Sequence, residues 1–166
     1  MTGTVDTFLR AHQFEVVISP SGADGDRGVA ATASFSDVSG LEFNLEFEDL
    51  REGGYNWGVR KLVSKASSPA LVLKRGMTHD TAFWDWIQSC VDGTYPLPYV
   101  DGTILVHGYH ESERAMHAAV WAFHRGVVTK VSAAALDASG SAGVPIEELH
   151  IVHEGLERLK ESEPIE

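Results

Sequence analysis

Apolar and polar residues alternate with a period of two along most of this chain and change to a helical period once. The clearest alternation is Leu41 to Glu48: Leu41, Phe43, Leu45 and Phe47 fall on one side, and Glu42, Asn44, Glu46 and Glu48 on the other. That is the pattern of a strand with one face in a core and an acidic face outside it. Phe14, Val16 and Ile18 predict a first strand closed by Ser19-Pro20-Ser21-Gly22, and Val29–Phe35 a second that pairs back on it. The loop between them, Ala23–Gly28, is acidic but lacks the later carboxylates of a calcium loop, so it reads as a turn. Thr103–His110 and Met116–His124 predict an antiparallel hairpin about the polar run Glu111–Arg114. Val127–Ser132 continues as strand, Ala133–Gly143 is small and flexible, and Val144–His153 gives a last strand. Glu157–Glu166 reads as a charged tail with a frayed helical turn.

The one change of period comes after Leu71-Val72-Leu73, a short apolar strand ending in the basic turn Lys74-Arg75-Gly76. Phe83, Ile87, Cys90 and Val91 then share a helical face, which Trp84 and Trp86 widen. Thr78 or Asp80 is placed to cap the helix, and Asp92-Gly93 to stop it, because glycine tolerates the left-handed conformation that ends helices. A single helix among strands predicts a mainly β fold: a β-barrel of two packed antiparallel sheets, flanked by this helix through Phe83, Trp84, Trp86 and Ile87. After it, Gly93–Gly102 is an irregular connector whose two prolines exclude a central strand.

Between Asp49 and Pro69 lies a connection too long for an ordinary loop. It contains Arg51, Glu52, Gly53, Gly54, Tyr55, Trp57, Arg60, Lys61 and Lys65. Tyrosine, tryptophan and arginine are enriched at protein interfaces. This basic, aromatic segment follows an acidic strand, which suits an extended hairpin arm that docks on a second copy of the chain. The other reading is a hairpin folded back on its own barrel.

Composition narrows the function classes. A chain of 166 residues, 43% of them hydrophobic, suits one domain, taken here as residues 1–156 followed by the tail 157–166. The formal charge of −11 opposes general binding to nucleic-acid phosphates. Cys90 is the only cysteine, so no internal disulfide is expected, and a buried apolar role suits it better than a nucleophilic one. No apolar run approaches the roughly 20 residues of a membrane-spanning helix, and the first residues lack the pattern of a secretory signal. His107 and His110, like His150 and His153, are three apart on strands and point to opposite faces, so no metal site is expected. Glu42, Glu46 and Glu48 form an acidic face with no second set of groups to make it an acid–base site, so it reads as a solvated face. Nucleophile-elbow, P-loop and dinucleotide glycine signatures are absent, so neither an active site nor a cofactor is expected.

A resemblance adds to this. The blocks Phe35-Ser36-Asp37-Val38-Ser39-Gly40-Leu41-Glu42, Arg51-Glu52-Gly53-Gly54 and Lys61-Leu62 occur in the order of the tail-tube (inner-tube) proteins of contractile phages and related injection systems. So do Leu71–Thr78, Phe83-Trp84-Asp85-Trp86, Trp121-Ala122-Phe123 and Val144–Leu156. From Phe14 to Leu156 the chain resembles that family. The resemblance implies homo-hexameric rings that stack into a hollow tube, with sheath and baseplate proteins as partners and DNA or protein cargo in the lumen. It implies assembly in the cytoplasm into a virion tail or an injection particle. It makes Asp49–Pro69 the arm to a neighbouring ring and puts Lys74 and Arg75 at a subunit contact. Like-charge repulsion from an acidic lumen would keep acidic cargo from sticking. Gly93–Gly102 and the histidine-rich hairpin depart from the family pattern, which leaves a tube-initiating paralogue at the baseplate as an alternative. A freestanding ligand-binding β-barrel and an enzyme using His150 or His153 are the remaining rivals.

Overall fold

The computed structural model describes residues 11–21, 31–108, 117–133 and 145–159. Within them the chain runs β1 (Ala11–Pro20), β2 (Ala31–Phe35), β3 (Asp37–Ser39), β4 (Asn44–Leu50), β5 (Arg60–Ser67), β6 (Leu71–Gly76), α1 (Ala82–Val91), β7 (Val100–Gly108), β8 (His117–Ser132), β9 (Ile146–Val152) and β10 (Gly155–Leu159). The fold is mainly β with one helix, as the alternation predicts.

Two antiparallel sheets share β8. One is ordered β2-β1-β7-β8-β10 and the other β8-β9-β6-β3. The first half of β8 pairs with β7 and β10; from Val127 onward it pairs with β9. The strand changes sheets at Arg125, whose φ of 48° is unusual for a residue with a side chain. Arg125 is held there from three sides. Its backbone N–H donates to Asp101 Oδ1 (2.8 Å), its Nε donates to Glu154 Oε2 (2.8 Å), and its guanidinium lies 4.4 Å from the Tyr99 ring centre. Beside the bend, Phe123 fills space that bare backbone leaves open. A Cβ on Gly102 would lie 2.3 Å from its ring, and one on Gly126 would lie 2.7 Å from it.

At the opposite corner β2 and β3 are successive pieces of one run. Phe35 still pairs with Phe14, Asp37 already pairs with Lys74, and the Ser36 N–H between them donates to Lys74 O (2.8 Å). Both corners are thus joined by continuous chain, yet no ladder links β2 to β3. The barrel expected from the sequence is two packed sheets without full closure.

Val16, Ile18, Leu71, Leu73, Ile104, Phe123 and Ile151 make the core, and α1 covers it with Phe83 and Trp86. Trp86 Nε1 donates to Pro98 O (3.0 Å), so the buried indole leaves no unmet donor. Ile87 and Cys90 pack at its edge, as expected. Val91 does not: it is exposed at the last helical position, where the chain turns away through Gly93 (φ 75°). Asp80 Oδ1 accepts the Ala82 N–H (3.1 Å), as a capping residue should, although the N-cap position itself is Thr81.

Three further boundaries differ from the sequence reading. Lys74-Arg75-Gly76 is not a turn but the second half of β6, because a carboxylate on β9 neutralises Arg75. Val100–Gly102, placed in the connector, opens β7, where Val100 is fully buried beyond both prolines. Glu157–Leu159 is strand rather than a helical tail: Leu156 points into the core, Glu157 out, and β10 pairs with β8. The turns at Ala23–Gly28 and Glu111–Arg114, residues 134–143 and the tail from 160 onward lie outside the described residues.

Candidate assembly interface

Among the described residues β4 and β5 pair only with each other, as a two-stranded sheet in which every residue is exposed. The expectation that Phe43, Leu45 and Phe47 enter this chain's core is therefore corrected. Only Leu41 packs against the core; the strand after it is the outgoing half of the arm, which spans Asn44 to Ser67 rather than starting at Asp49. Glu46 and Glu48 lie on this arm as well, and Glu42 sits at its root.

The root is tightly closed. Gly40 adopts φ 88°, and a Cβ there would lie 2.3 Å from Ala70 O, so only glycine lets the outgoing and returning chain come this close. Ser68 Oγ donates to Glu42 O (2.9 Å) across the same gap. Along the hairpin, Leu45 faces Ala66, Phe47 faces Val63, Asp49 faces Lys61, Glu48 faces Leu62 and Leu50 faces Arg60, with one extra residue in β5 between Val63 and Ala66. Directly opposed residues share a face. One face thus carries Leu45, Phe47 and Val63, which are 61%, 59% and 67% exposed; the other mixes Glu48, Leu62, Leu50 and Arg60.

At the tip Arg51–Val59 turns the chain. Arg60 Nε bonds Glu52 Oε2 (3.1 Å), and its guanidinium lies 5.4 Å from the Tyr55 ring centre. Lys61 bonds Asp49 and sits 4.9 Å from the Phe47 ring centre. Trp57 is 93% exposed. Half of the sixteen large hydrophobic residues exposed among the described residues lie between Phe43 and Val63. Apolar exposure concentrated in this way marks an interaction surface.

Arg75, expected at a subunit contact, is taken up by its own chain. Its Nε donates to Glu147 Oε2 (3.1 Å), its Nη1 and Nη2 reach Asp80, and its guanidinium lies 4.5 Å from the Phe83 ring centre. Glu147, also buried, accepts a second bond from Trp84 Nε1 (3.2 Å). This network, which the sequence reading missed, clamps α1 to β6 and β9. Its only sequence signal is the alternation of Glu147 with Leu149 and Ile151, which puts a carboxylate on the core side of β9. Lys74 alternates outward, 3.8 Å from Asp37 and 3.4 Å from Glu148. Its hydrogen bond, aided by His150, holds the Glu148 carboxyl below the usual carboxylate range.

Among the described residues no three His, Cys, Asp or Glu side chains converge as metal ligands. The spacing of His107 with His110, and of His110 across the hairpin, lies outside the described residues. Burial pushes the Cys90 thiol up, away from the reactive thiolate form. No helix among the described residues is long and apolar enough to cross a membrane.

The model of the T4-like virus tail tube protein gp19 family matches residues 10–157. The chain belongs to the tail tube protein family. It is a structural tube subunit. As a tail tube protein it shares its fold with a chain of the anti-feeding prophage (AFP) baseplate, with 21% identity, a TM-score of 0.77, and 95% of this chain and 99% of that one covered. A chain of the PVC extracellular contractile injection system, in its sheath–tube complex, matches at 19% identity and TM-score 0.70, with 93% of each chain covered. Hcp1 from Flavobacterium johnsoniae shares the fold at 14% identity and TM-score 0.53, covering 91% of this tail tube protein and 94% of Hcp1. No curated protein sequence matches it.

Proposed function

We propose that six copies of this tail tube protein close into a ring, that rings stack into a hollow tube, and that the arm is the contact between copies. The supporting observation is the arm itself, on which Phe47, Val63 and Trp57 stand more than half exposed. A two-stranded hairpin is marginal alone and gains stability from a neighbour that covers its apolar face. Sheet edges unpaired among the described residues give the strands of adjacent copies a place to continue. The work of the molecule is then mechanical rather than catalytic. Sheath and baseplate proteins surround the tube, and DNA or protein cargo passes along it, in a phage tail or an injection particle assembled in the cytoplasm.

A second reading, a tube-initiating subunit at the baseplate, is favoured by the higher structural similarity to the AFP baseplate chain than to the PVC sheath–tube chain. Negative-stain imaging of the purified protein separates them. Long tubes support the main subunit, single rings the initiator, and monomers at every concentration oppose both. Tyr55→Ala with Trp57→Ala keeps the fold, by circular dichroism, and prevents stacking; unchanged tubes remove the arm from the contact.

A further inference from the structure

We infer that the arm docks on a second copy one face down, through Leu45, Phe47 and Val63, with Lys61 of the return strand β5 on that face toward the acidic body of that copy. This rests on reading the arm as the contact between copies and adds which face is covered and by what chemistry. The register separates the two faces. Leu45, Phe47 and Val63 form an unbroken apolar strip, with Ala66 at one end and the Asp49–Lys61 pair at the other. On the opposite face Leu62 lies across from Glu48 and Leu50 across from Arg60, so each apolar side chain has a charged neighbour. Covering the first face removes apolar surface from water and meets charge only as the Asp49–Lys61 pair at its end, whereas covering the second would desolvate Glu48 and Arg60.

Charge identifies the occupant. Between Phe43 and Ser67 lie four of the 13 basic and four of the 24 acidic residues, so the arm is formally neutral and the rest of the chain carries the whole −11. The arm's charges are also sorted by strand. β4 has Glu46, Glu48 and Asp49 and no base, while β5 has Arg60, Lys61 and Lys65 and no acid. Two acidic bodies repel each other; a neutral hairpin can approach an acidic body, and does so best with β5 leading. In the free subunit Lys61 lies over Phe47 and Arg60 over Tyr55, which shields two of the arm's aromatic rings until a partner replaces that cover.

Leu62 and Val63 are adjacent on one strand, both exposed, and differ in face, so aspartate at each makes a matched pair. The readout is the concentration at which the purified protein begins to assemble, by light scattering and negative stain, with circular dichroism as the fold control. Val63→Asp should raise that concentration about tenfold or more, and Leu62→Asp should leave it within about twofold. Lys61→Glu, on the same face as Val63, should raise it too, and added salt should narrow its gap from the parent. Equal effects at 62 and 63, or a larger one at 62, overturn the one-faced arrangement; an unchanged threshold for Lys61→Glu overturns the acidic partner surface. A chain with residues 43–67 replaced by a short glycine-serine turn distinguishes the underlying reading. If it assembles like the parent, the arm is not the contact; if it fails while both aspartates act alike, the arm stands and only the face assignment falls.

Discussion

Arg75 and Glu147 show how single residues set the frame of this molecule. With Trp84 they join β6, β9 and α1 through charge-assisted bonds, and both members of the ion pair are buried. Glu147→Ala leaves a buried guanidinium without its carboxylate and the Trp84 N–H without an acceptor, and should cost about 3–5 kcal/mol in urea unfolding. A double replacement, Arg75→Met with Glu147→Leu, should cost less than the single one, because no charge is left unpaired. His153 gives a pH dependence. Both its ring nitrogens are shielded from water with no hydrogen bond completed, and burial pushes its pKa below the ordinary 6.5, against a weaker opposing pull from the Gly155 and Pro69 backbones. The unfolded chain therefore binds a proton that the folded chain resists. Stability should fall as pH drops below about 6.5 and level off below the folded pKa. Urea midpoints at about pH 7.5 and about pH 5.5 check this, and His153→Gln should shrink the difference.

At the scale of elements, the arm is a hairpin that two strands alone barely sustain. Hydrogen exchange should find its backbone weakly protected in the free subunit, well below β6 and β9, and slowed once copies assemble. Gly40→Ala should destabilise the root by about 1–3 kcal/mol, from its positive φ and from the 2.3 Å approach of the new Cβ to Ala70 O. The contrast between arm and helix shows what the sequence made legible. Phe83, Trp86 and Ile87 predicted the buried face of α1 because a helix with one apolar stripe has to cover something. The alternation Leu41–Phe47 predicted a strand equally well and misplaced it, because period two says that a face is apolar, not which molecule covers it. Arg75 was misread for a related reason: a basic residue beside glycine looks like a turn until the carboxylate that pairs with it, 72 residues away, is brought alongside.

For the whole molecule, membership of the tail tube family and the shape of the chain agree. Two sheets joined at both corners form the body, and an exposed apolar hairpin is the surface proposed to hold a neighbour. Charge is uneven, neutral on the arm and acidic elsewhere, which the proposed docking uses. The blocks that carried the resemblance map onto this division: Phe35–Glu42 forms the β2–β3 corner and the arm's root, Arg51-Glu52-Gly53-Gly54 the tip, and Leu71–Thr78 the strand carrying Arg75. The most direct test is cryo-electron microscopy of the purified protein under assembling conditions. Rings or tubes in which residues 44–67 of each copy are buried against another copy are the expected result. Ordered assemblies in which those residues touch only their own chain, or a protein that stays monomeric at every concentration, would contradict it.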